Sequence, residues 1–384
     1  MSQDKFQSFV RFVRDLYNTK GSVPLHEPCF KGNEKNYVSE CIDSTFVSNV
    51  GHFVDLLEKE VSAFTNANHA IATVNGTTAL HTALKLVGVQ EGDGVITQSL
   101  TFIATCNAIV YCQAKPIFID IDKDTLGLSP HSLEVFLEEH CELREDGSCW
   151  YKKTNTIIRA CLPMHSFGFP TKIDKIKELT KRYNIALVED AAESLGSFYK
   201  GKHTGIIGDI GILSFNGNKI VTTGGGGMIL TNNKEIANRA KHLTTNAKVD
   251  HLWEFYHDEI GFNYRLPNIN AALGLSQMEQ LEEFIKNKRK IAQSYQQWGK
   301  QHDIRFFHEP EGTKSNYWLN VVITKDKIER DEMLQYTNEN GVMTRPVWSP
   351  MHKLPMFESC TKGDLTNTES FSEQIVNVPS SVNF

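Results

Sequence analysis

The sequence lacks the features that mark several large classes of protein. No continuous apolar run approaches the roughly 20 residues that a membrane span needs, and the longest runs, such as residues 185–188, have the length of a strand. There is no block of Lys or Arg, and 46 acidic against 40 basic residues leave a net charge of −6. We therefore expect neither a membrane protein nor a protein that binds nucleic acid.

The eight cysteines form no C-x-x-C pair and no short cluster with histidine. This pattern indicates neither a structural zinc site nor a disulfide framework, so we expect no bound metal. The N-terminal segment MSQDKFQSFVRFVRDLY alternates apolar and charged residues and does not contain the continuous apolar stretch of a signal peptide. We expect a soluble, cytoplasmic protein with reduced thiols.

With 384 residues, 40% of them hydrophobic and 22% charged, the chain has the composition of a globular protein of two or three domains. Short β-type runs such as VITQSL, IALVED and GILSF alternate with helical patterns. This alternation predicts an α/β fold with a mainly parallel sheet that is covered by helices. Ligands of such sheets bind beyond the carboxyl ends of the strands, so candidate residues are sought there.

The patterns divide the chain into three parts. Residues 1–23 contain an amphipathic helix followed by a Gly-Ser-Val-Pro break, which we interpret as a helical appendage. Residues 24–258 form the large sheet domain, and residues 259–384 form a smaller α+β domain.

Two local expectations accompany this division. The small domain is predicted to contain one long helix from Asn268 to about Gln297, with strands near Trp318–Ile323 and Val342–Thr344. Residues 140–153 of the large domain are longer than a usual connection, and we expect a surface insertion there.

The stretch from residue 185 to residue 231, IALVEDAAESLGSFYKGKHTGIIGDIGILSFNGNKIVTTGGGGMILT, has the clearest chemistry. Asp190 ends one predicted strand, Ser214 ends a second, and Lys219 lies in a polar loop just before four glycines. A lysine in such a loop can form an imine with a carbonyl, and a strand-end aspartate can pair with a protonated pyridine nitrogen. Each residue alone has an ordinary explanation, as a surface lysine, a helix cap or a turn. Their combination predicts a pyridoxal 5′-phosphate enzyme.

A candidate phosphate site lies upstream of these residues. The run IATVNGTTAL predicts a strand that enters a helix through Asn75, Gly76 and Thr77. The free N–H groups and the dipole of that helix start favour a phosphate dianion, and the Thr77 hydroxyl adds a donor. The run is not a Walker loop, because no G-x-x-x-x-G-K-[ST] is present. No G-x-G-x-x-G follows an early strand, which argues against an NAD-dependent enzyme.

The succession of NGTTALHTAL, SLTFIATCNAIVYCQAKPIFIDID, EDAAESLGSFYKGKHTGIIGDIGILSFNGNK and GFNYRLPNINAALGLSQME resembles the DegT/DnrJ/EryC1/StrS family of sugar aminotransferases, from about Pro24 to the C-terminus. The resemblance implies a fold-type I transferase that depends on pyridoxal 5′-phosphate. The runs SFNGNKI and TRPVWSPMH look most like the branch that serves bacillosamine and legionaminic acid biosynthesis. The likeness to this branch implies transfer of the amino group of L-glutamate to C4 of a UDP-linked 4-keto-6-deoxy-N-acetylhexosamine.

The same resemblance implies roles for individual residues. Lys219 matches the lysine that binds the cofactor covalently and then acts as a base, and Asp190 matches the carboxylate on the pyridine nitrogen. The other cofactor-binding positions that it implies are Gly76, Thr77, Phe102, Glu193, Ser214 and Asn263. Among them, Asn263 matches the asparagine that reaches the phosphate of the neighbouring subunit, which implies a homodimer with shared active sites. The substrate-binding positions that it implies are His165, Asn316, Arg345 and His352.

Alternatives exist at both levels. Phe102 and the segment around Asn316 are also compatible with core positions, Arg345 with an ion pair between domains, and His165 and His352 with purely structural histidines. For the activity, the alternatives are a 3- or 4-aminotransferase of a dTDP- or GDP-linked keto sugar, a sugar dehydratase, and a binding protein without catalysis. The presence of Lys219 and the run GNK argue against a dehydratase. The presence of both Lys219 and Asp190 argues against a binding protein, since loss of one of them would mark it.

Overall fold

The structure is a computed structural model, and it describes residues 2–384. The helices are α1 (Ser2–Leu16), α2 (Glu34–Asp43), α3 (His52–Thr65), α4 (Gly76–Leu86), α5 (Ile103–Tyr111), α6 (Pro130–His140), α7 (Ile173–Arg182), α8 (Lys234–Thr244), α9 (Asn268–Met278), α10 (Leu281–Gln301), α11 (Lys327–Glu339) and α12 (Thr366–Ser372). The strands are β1 (His69–Thr73), β2 (Gly94–Gln98), β3 (Lys115–Ile119), β4 (Cys141–Leu143), β5 (Cys149–Tyr151), β6 (Thr156–Leu162), β7 (Ala186–Asp190), β8 (Phe198–Tyr199), β9 (Lys202–His203), β10 (Ile210–Ser214), β11 (Gly227–Thr231), β12 (Arg305–Phe306), β13 (Thr313–Lys314), β14 (Asn320–Ile323), β15 (Arg345–Pro346) and β16 (Ile375–Val378).

The large domain is built on a sheet whose strands run in the order β1-β11-β10-β7-β6-β2-β3. The strands from β10 to β3 pair in parallel, whereas β11 pairs antiparallel with both of its neighbours. The α/β fold with a mainly parallel sheet is therefore confirmed. Because parallel strands end at one edge, β7 and β10 deliver Asp190 and Ser214 to the same side of the sheet.

The small domain has its own sheet, in the order β12-β14-β16-β15. Helix α1 belongs to the core of this domain, since Phe6, Phe9, Val10 and Val13 pack in one cluster with residues of α10, β14 and β16. Full burial of such side chains stabilises a fold by about 1.5–3 kcal/mol each. The segment interpreted as an appendage is thus an integral element of the small domain.

The packing also places the domain boundary later than residue 258. Helix α9 and the first turns of α10 pack into a cluster with α2 and α3 of the large domain, whereas Ile291 and Tyr295, further along α10, belong to the small-domain core. The chain passes from one domain to the other within α10.

The single helix predicted from Asn268 to Gln297 is wrong, because the structure divides it at residues 279–280. The side-chain amide of Gln280 donates to the Ser276 carbonyl and to the Glu34 carboxylate, and the Gln280 N–H bonds to Gln277 three residues back. A side chain from α2, distant in sequence, therefore fixes the break. The strand predicted at residues 342–344 is also wrong: Val342 makes one isolated bridge with Val23, and the strand of that region is β15.

The long connection at residues 140–153 forms a hairpin of β4 and β5, and β5 pairs antiparallel with the first three residues of β6. It extends the large sheet. In the part of the chain that the structure describes, no helix is both long and apolar enough to cross a membrane.

Candidate active site

A cleft of about 310 Å³ lies at the carboxyl ends of β7 and β10, between the large-domain sheet and the small domain. Two tryptophans close its small-domain side, Trp318 and Trp348. The cleft brings together most of the residues that the sequence implies for a cofactor: Gly76, Thr77, Phe102, Asp190, Glu193, Ser214 and Lys219.

Asp190 is a buried carboxylate at the end of β7, with only 2% of its surface exposed. The Thr105 hydroxyl donates to its Oδ2 over 2.8 Å, and the Ala192 N–H donates to its Oδ1 over 3.2 Å. Burial raises the pKa of Asp190 in spite of these hydrogen bonds. Both donors are neutral, so the arrangement suits a cationic N–H group placed in the cleft.

Lys219 reaches into the same cleft from the loop after β10. Its Nζ lies 3.1 Å from Glu193 Oε1 and 3.9 Å from the centroid of the Trp318 ring. The second oxygen of Glu193 accepts the N–H of Phe167 over 2.8 Å. Burial raises the pKa of Glu193, and the nearby charge of Lys219 opposes this shift. The cleft thus holds an amine whose position is fixed by a carboxylate and an aromatic face.

The start of α4 forms the opposite end of the cleft. Asn75 and Thr78 make reciprocal capping hydrogen bonds, which leave the first-turn N–H groups of Gly76 and Thr77 without intrahelical acceptors. A Cβ at Gly76 would meet the Ser214 side chain at 3.0 Å, so this glycine lets the helix start approach the end of β10. The N–H groups of Gly76 and Thr77 and the nearby Ser214 hydroxyl are donors that suit a phosphate.

The glycine run after Lys219 has a defined structural role. Gly224 adopts a φ of +78°, which favours glycine, and a Cβ at Gly227 would lie 2.6 Å from the Asn75 carbonyl. The run therefore turns the chain back and lets β11 pass close to the helix start.

Phe102 lies at the N-terminus of α5, and 46% of its surface is exposed to the cleft side of the molecule. Its ring meets Trp348 edge-on, with 6.1 Å between centroids, and Trp348 in turn stacks on Phe167. The alternative of a core phenylalanine does not hold. An exposed ring at this position is available to cover one face of a flat ligand.

His165 does not line the cleft. The side chain is fully buried, its Nε2 lies 3.0 Å from Glu189 Oε2, and its Nδ1 accepts the N–H of Thr171. Both ring nitrogens are therefore used inside the protein. These contacts favour the structural alternative, in which His165 fixes the turn after β6, and its contact with a substrate stays a prediction.

Asn316 and His352 are likewise occupied by the protein. The Asn316 amide donates to the carbonyls of Glu193 and Leu195, and its Oδ1 accepts the N–H of Trp318. His352 Nδ1 lies 2.7 Å from the Ser99 hydroxyl, and its Nε2 lies 3.4 Å from Glu369. Neither side chain lines the cleft, and both have partners within the protein, so their contact with a substrate stays a prediction.

Arg345 and Asn263 lie outside the cleft of their own chain. Arg345 is exposed on β15, where it donates to Asn338 Oδ1 and to the Thr344 carbonyl. It forms no ion pair between domains within the described residues, and its substrate contact is not supported. Asn263 is exposed on a segment that bridges to Thr245.

Sequence reasoning missed three residues of the site: Thr105, Trp318 and Trp348. For Thr105 the only signal is its place in the run TFIAT, which also contains Phe102. Trp318 follows Asn316 in the run NYW, and Trp348 lies in TRPVWSPMH, where Arg345 and His352 are the predicted contacts. Outside the cleft, His242, Asp258 and Glu259 come close enough to hold a metal ion. Arg239 already pairs with the Glu259 carboxylate, which disfavours a cation there.

Comparison with known proteins agrees with this geometry. Residues 28–384 match the model of the DegT/DnrJ/EryC1/StrS aminotransferase family. The chain is 38% identical to a GDP-perosamine synthase of Escherichia coli O157:H7 over 87% of each chain. It is 35% identical to a GDP-perosamine synthase of Caulobacter vibrioides, over 93% of this chain and 92% of that one. A solved structure of the aminotransferase TlmJ from Streptoalloteichus hindustanus superposes with a TM-score of 0.84 at 27% identity, over 94% of each chain.

Proposed function

We propose that this chain, which belongs to the DegT/DnrJ/EryC1/StrS aminotransferase family, moves the amino group of L-glutamate to C4 of a nucleotide-linked 4-keto-6-deoxyhexose. The chain is a nucleotide-sugar aminotransferase of fold type I that depends on pyridoxal 5′-phosphate. The observation that carries the proposal is the juxtaposition of Lys219, Asp190 and the α4 start in one cleft.

The residues present fit the cofactor. The buried Asp190 carboxylate with neutral donors suits the pyridinium N–H, the N–H groups of Gly76 and Thr77 with the Ser214 hydroxyl suit the phosphate, and Phe102 suits a ring face. When bound, pyridoxal phosphate supplies a conjugated ring that delocalises the electron pair left by a departing proton.

The remaining work falls to side chains of the protein. In its neutral form, Lys219 Nζ accepts the proton from the amine-bearing carbon of glutamate and delivers the proton that C4 of the sugar gains. The Glu193 carboxylate, 3.1 Å from Nζ, orients this amine. Asp190, with its Thr105 hydrogen bond, keeps a negative charge opposite the ring nitrogen.

Two candidate substrates have specific support. The motifs SFNGNKI and TRPVWSPMH favour a UDP-linked N-acetylhexosamine, as in bacillosamine or legionaminic acid biosynthesis. The relatives named GDP-perosamine synthases favour a GDP-linked 4-keto sugar instead. Because the predicted polar substrate contacts are occupied by the protein, we assign substrate contact to Trp348 and Phe102 at the cleft.

The test is an amination assay with the purified, cofactor-loaded protein, L-glutamate and a panel of GDP-, UDP- and dTDP-linked 4-keto sugars, with products identified by mass spectrometry. We expect a glutamate-dependent gain of an amine on one of the first two classes. Turnover of none of the panel, in a protein that carries the cofactor, would contradict the proposal.

We propose further that the enzyme is a homodimer with shared active sites, in the cytoplasm. The loop before Asn263 exposes large apolar side chains, among them Leu252 at 90%, Phe255 at 82% and Ile260 at 88%. A surface of this kind is typical of a contact with a partner chain. The eight free thiols support a reducing compartment.

Subunit mixing tests the sharing of sites. We expect the Lys219→Ala and Asn263→Ala variants each to lose activity, and a refolded mixture of both to regain about a quarter of the wild-type rate, because half of the dimers are hybrids with one intact site of two. A mixture as inactive as its components would contradict shared sites.

A further inference from the structure

Trp318 contacts the lysine of the site, although it comes from a different domain. It precedes β14 of the small domain, whereas Lys219 follows β10 of the large domain. The Lys219 Nζ lies 3.9 Å from the centroid of the indole ring, and Trp318 is only 4% exposed. At this distance an ammonium group is attracted by the electrons of the ring face, and low exposure strengthens the attraction.

The indole ring is held in place by hydrogen bonds at two positions. Its Nε1–H donates to the Asn218 carbonyl over 2.7 Å, directly beside Lys219 in the chain. The backbone N–H of Trp318 donates to Asn316 Oδ1, and the side-chain amide of Asn316 donates to the Glu193 backbone carbonyl. The same short network therefore positions both groups that contact the lysine, the Trp318 ring and the Glu193 carboxylate.

An aromatic face has an advantage over another charged group at this position. Glu193 and Asp190 are already two buried carboxylates, at 3% and 2% exposure, and burial raises the pKa of both. A third carboxylate would carry a further desolvation cost. The indole ring stabilises a cation without an added charge, and it accepts no directional hydrogen bond that would hinder movement of the amine.

We propose that Trp318 is a positioning residue, whose indole face and the Glu193 carboxylate together hold the Lys219 ammonium group whenever this lysine is not covalently bound to the cofactor. The inference rests on the proposed function, in which Lys219 must leave one position and return to it in every cycle. Trp318 itself exchanges no proton. Its contribution is to favour the charged form of Lys219 at a fixed place.

The test uses the cofactor-free protein and needs no substrate. Lysines are acetylated with a small reagent at one fixed pH, and the rate at Lys219 is measured by peptide mass spectrometry. In Trp318→Leu we expect Lys219 to be acetylated about 3- to 30-fold faster than in the wild type, because the ring no longer holds the amine in its unreactive, charged form. In Trp318→Phe, which keeps a weaker aromatic face, the gain is smaller.

Trp348→Leu is the matched control. It makes the same chemical change in the same cleft at a ring that has no cation–π contact with Lys219, so Lys219 should be acetylated at the wild-type rate. An unchanged rate in folded Trp318→Leu, or an equal rise in Trp348→Leu, would overturn the proposal.

A second measurement leaves Trp318 in place, which matters if its variants fold poorly. The tryptophan fluorescence of the wild type should change when Lys219 is acetylated, because the ammonium group then leaves the ring face, and Lys219→Met should abolish that change. A change that persists in Lys219→Met would also overturn the proposal. Since neither measurement involves transamination, these results stand or fall separately from the amination assay.

Discussion

On the large-domain side of the cleft, carboxylates and an amine are fixed at the ends of parallel strands, whereas on the small-domain side two indole rings face them. The charged groups are held by short contacts within the sheet domain, such as Thr105 to Asp190 at 2.8 Å. The rings are held by stacking and by one indole hydrogen bond. Under the proposed function, the fixed charges serve proton transfer, and the aromatic surfaces serve contact with the substrate and with the lysine.

The largest expected effect is that of Lys219→Ala on the charged side. In the proposed function Lys219 is both the attachment of the cofactor and the base, so we expect the rate of glutamate-dependent amination to fall by about 10⁴-fold or more. The measurement is the amination assay, together with the absorbance of the lysine-bound cofactor. Lys202→Ala, at an exposed lysine of β9, is the matched control and should behave like the wild type. Wild-type activity in Lys219→Ala would contradict the assignment of the catalytic amine to the charged side of the cleft.

The next effect is that of Asp190→Asn, which should act on activity and stability in opposite directions. In the proposed function the Asp190 carboxylate faces the ring nitrogen, so loss of its charge should lower kcat by about 10²–10³-fold. Burial raises the pKa of Asp190 above its unfolded value of about 3.9, so the folded protein binds this proton more tightly. Stability contributed by this group therefore declines as pH rises from the unfolded pKa to the folded one. The neutral asparagine should raise the melting temperature of the cofactor-free protein at pH 7.

Thr105→Val sharpens the same prediction. It removes the hydrogen bond to Asp190 Oδ2 but leaves the charge, so it should lower the melting temperature at pH 7, by the equivalent of about 1–3 kcal/mol. The measurement is the melting temperature of Asp190→Asn and Thr105→Val at pH 7, determined by calorimetry. If both shift the melting temperature in the same direction, burial of the Asp190 charge is not the cause.

Trp348→Ala tests the aromatic side and should have a smaller effect. Loss of the ring removes a contact surface, so we expect KM for the sugar nucleotide to rise about 10-fold while kcat changes less. Steady-state kinetics with the preferred sugar separates the two constants, and Trp348→Phe should restore most of the affinity. A fall in kcat with constant KM would place Trp348 with the charged groups and end the distinction.

The charged side could be predicted from the sequence because its residues are close together in the chain. Asp190, Glu193 and Lys219 stand within one stretch that also carries the glycine run, and alternation of strands with helices places their ends at one edge. The aromatic side could not be predicted in this way, since Trp318 and Trp348 reach the cleft only through the packing of the second domain.

The predicted substrate residues that lie outside the cleft have a related cause. His165, Asn316 and His352 were chosen as polar groups in informative motifs, but the type of a residue does not reveal whether its partners are ligand or protein. The same holds for the break between α9 and α10, which depends on Glu34 of a distant helix. Local pattern determines most elements of this fold, and contacts between distant segments determine the exceptions.

The smallest expected effect concerns a buried charge behind the aromatic side. Lys288 is fully buried on α10 and donates to the Ser380 carbonyl, and the Ser380 hydroxyl accepts the N–H of Asn320, two residues after Trp318. Burial lowers the pKa of Lys288 to about 7, and the pKa of the neighbouring His26 is also lowered by burial, so this histidine is neutral in the same range.

Because the unfolded chain binds the Lys288 proton more tightly, with a pKa of about 10.4, the free energy of unfolding should rise with pH from about 7 to about 10 and stay at its lowest level below 7. Lys288→Met should therefore raise the melting temperature at pH 6 by about 3 °C and flatten this rise, with little change in kcat. Lys286→Met, at an exposed lysine of the same helix, is the control and should retain the wild-type slope. If the melting temperatures of Lys288→Met and the wild type changed with pH in parallel, the buried charge of Lys288 would not destabilise the small-domain side. Destabilisation by a buried charge would then be confined to the side that carries Asp190.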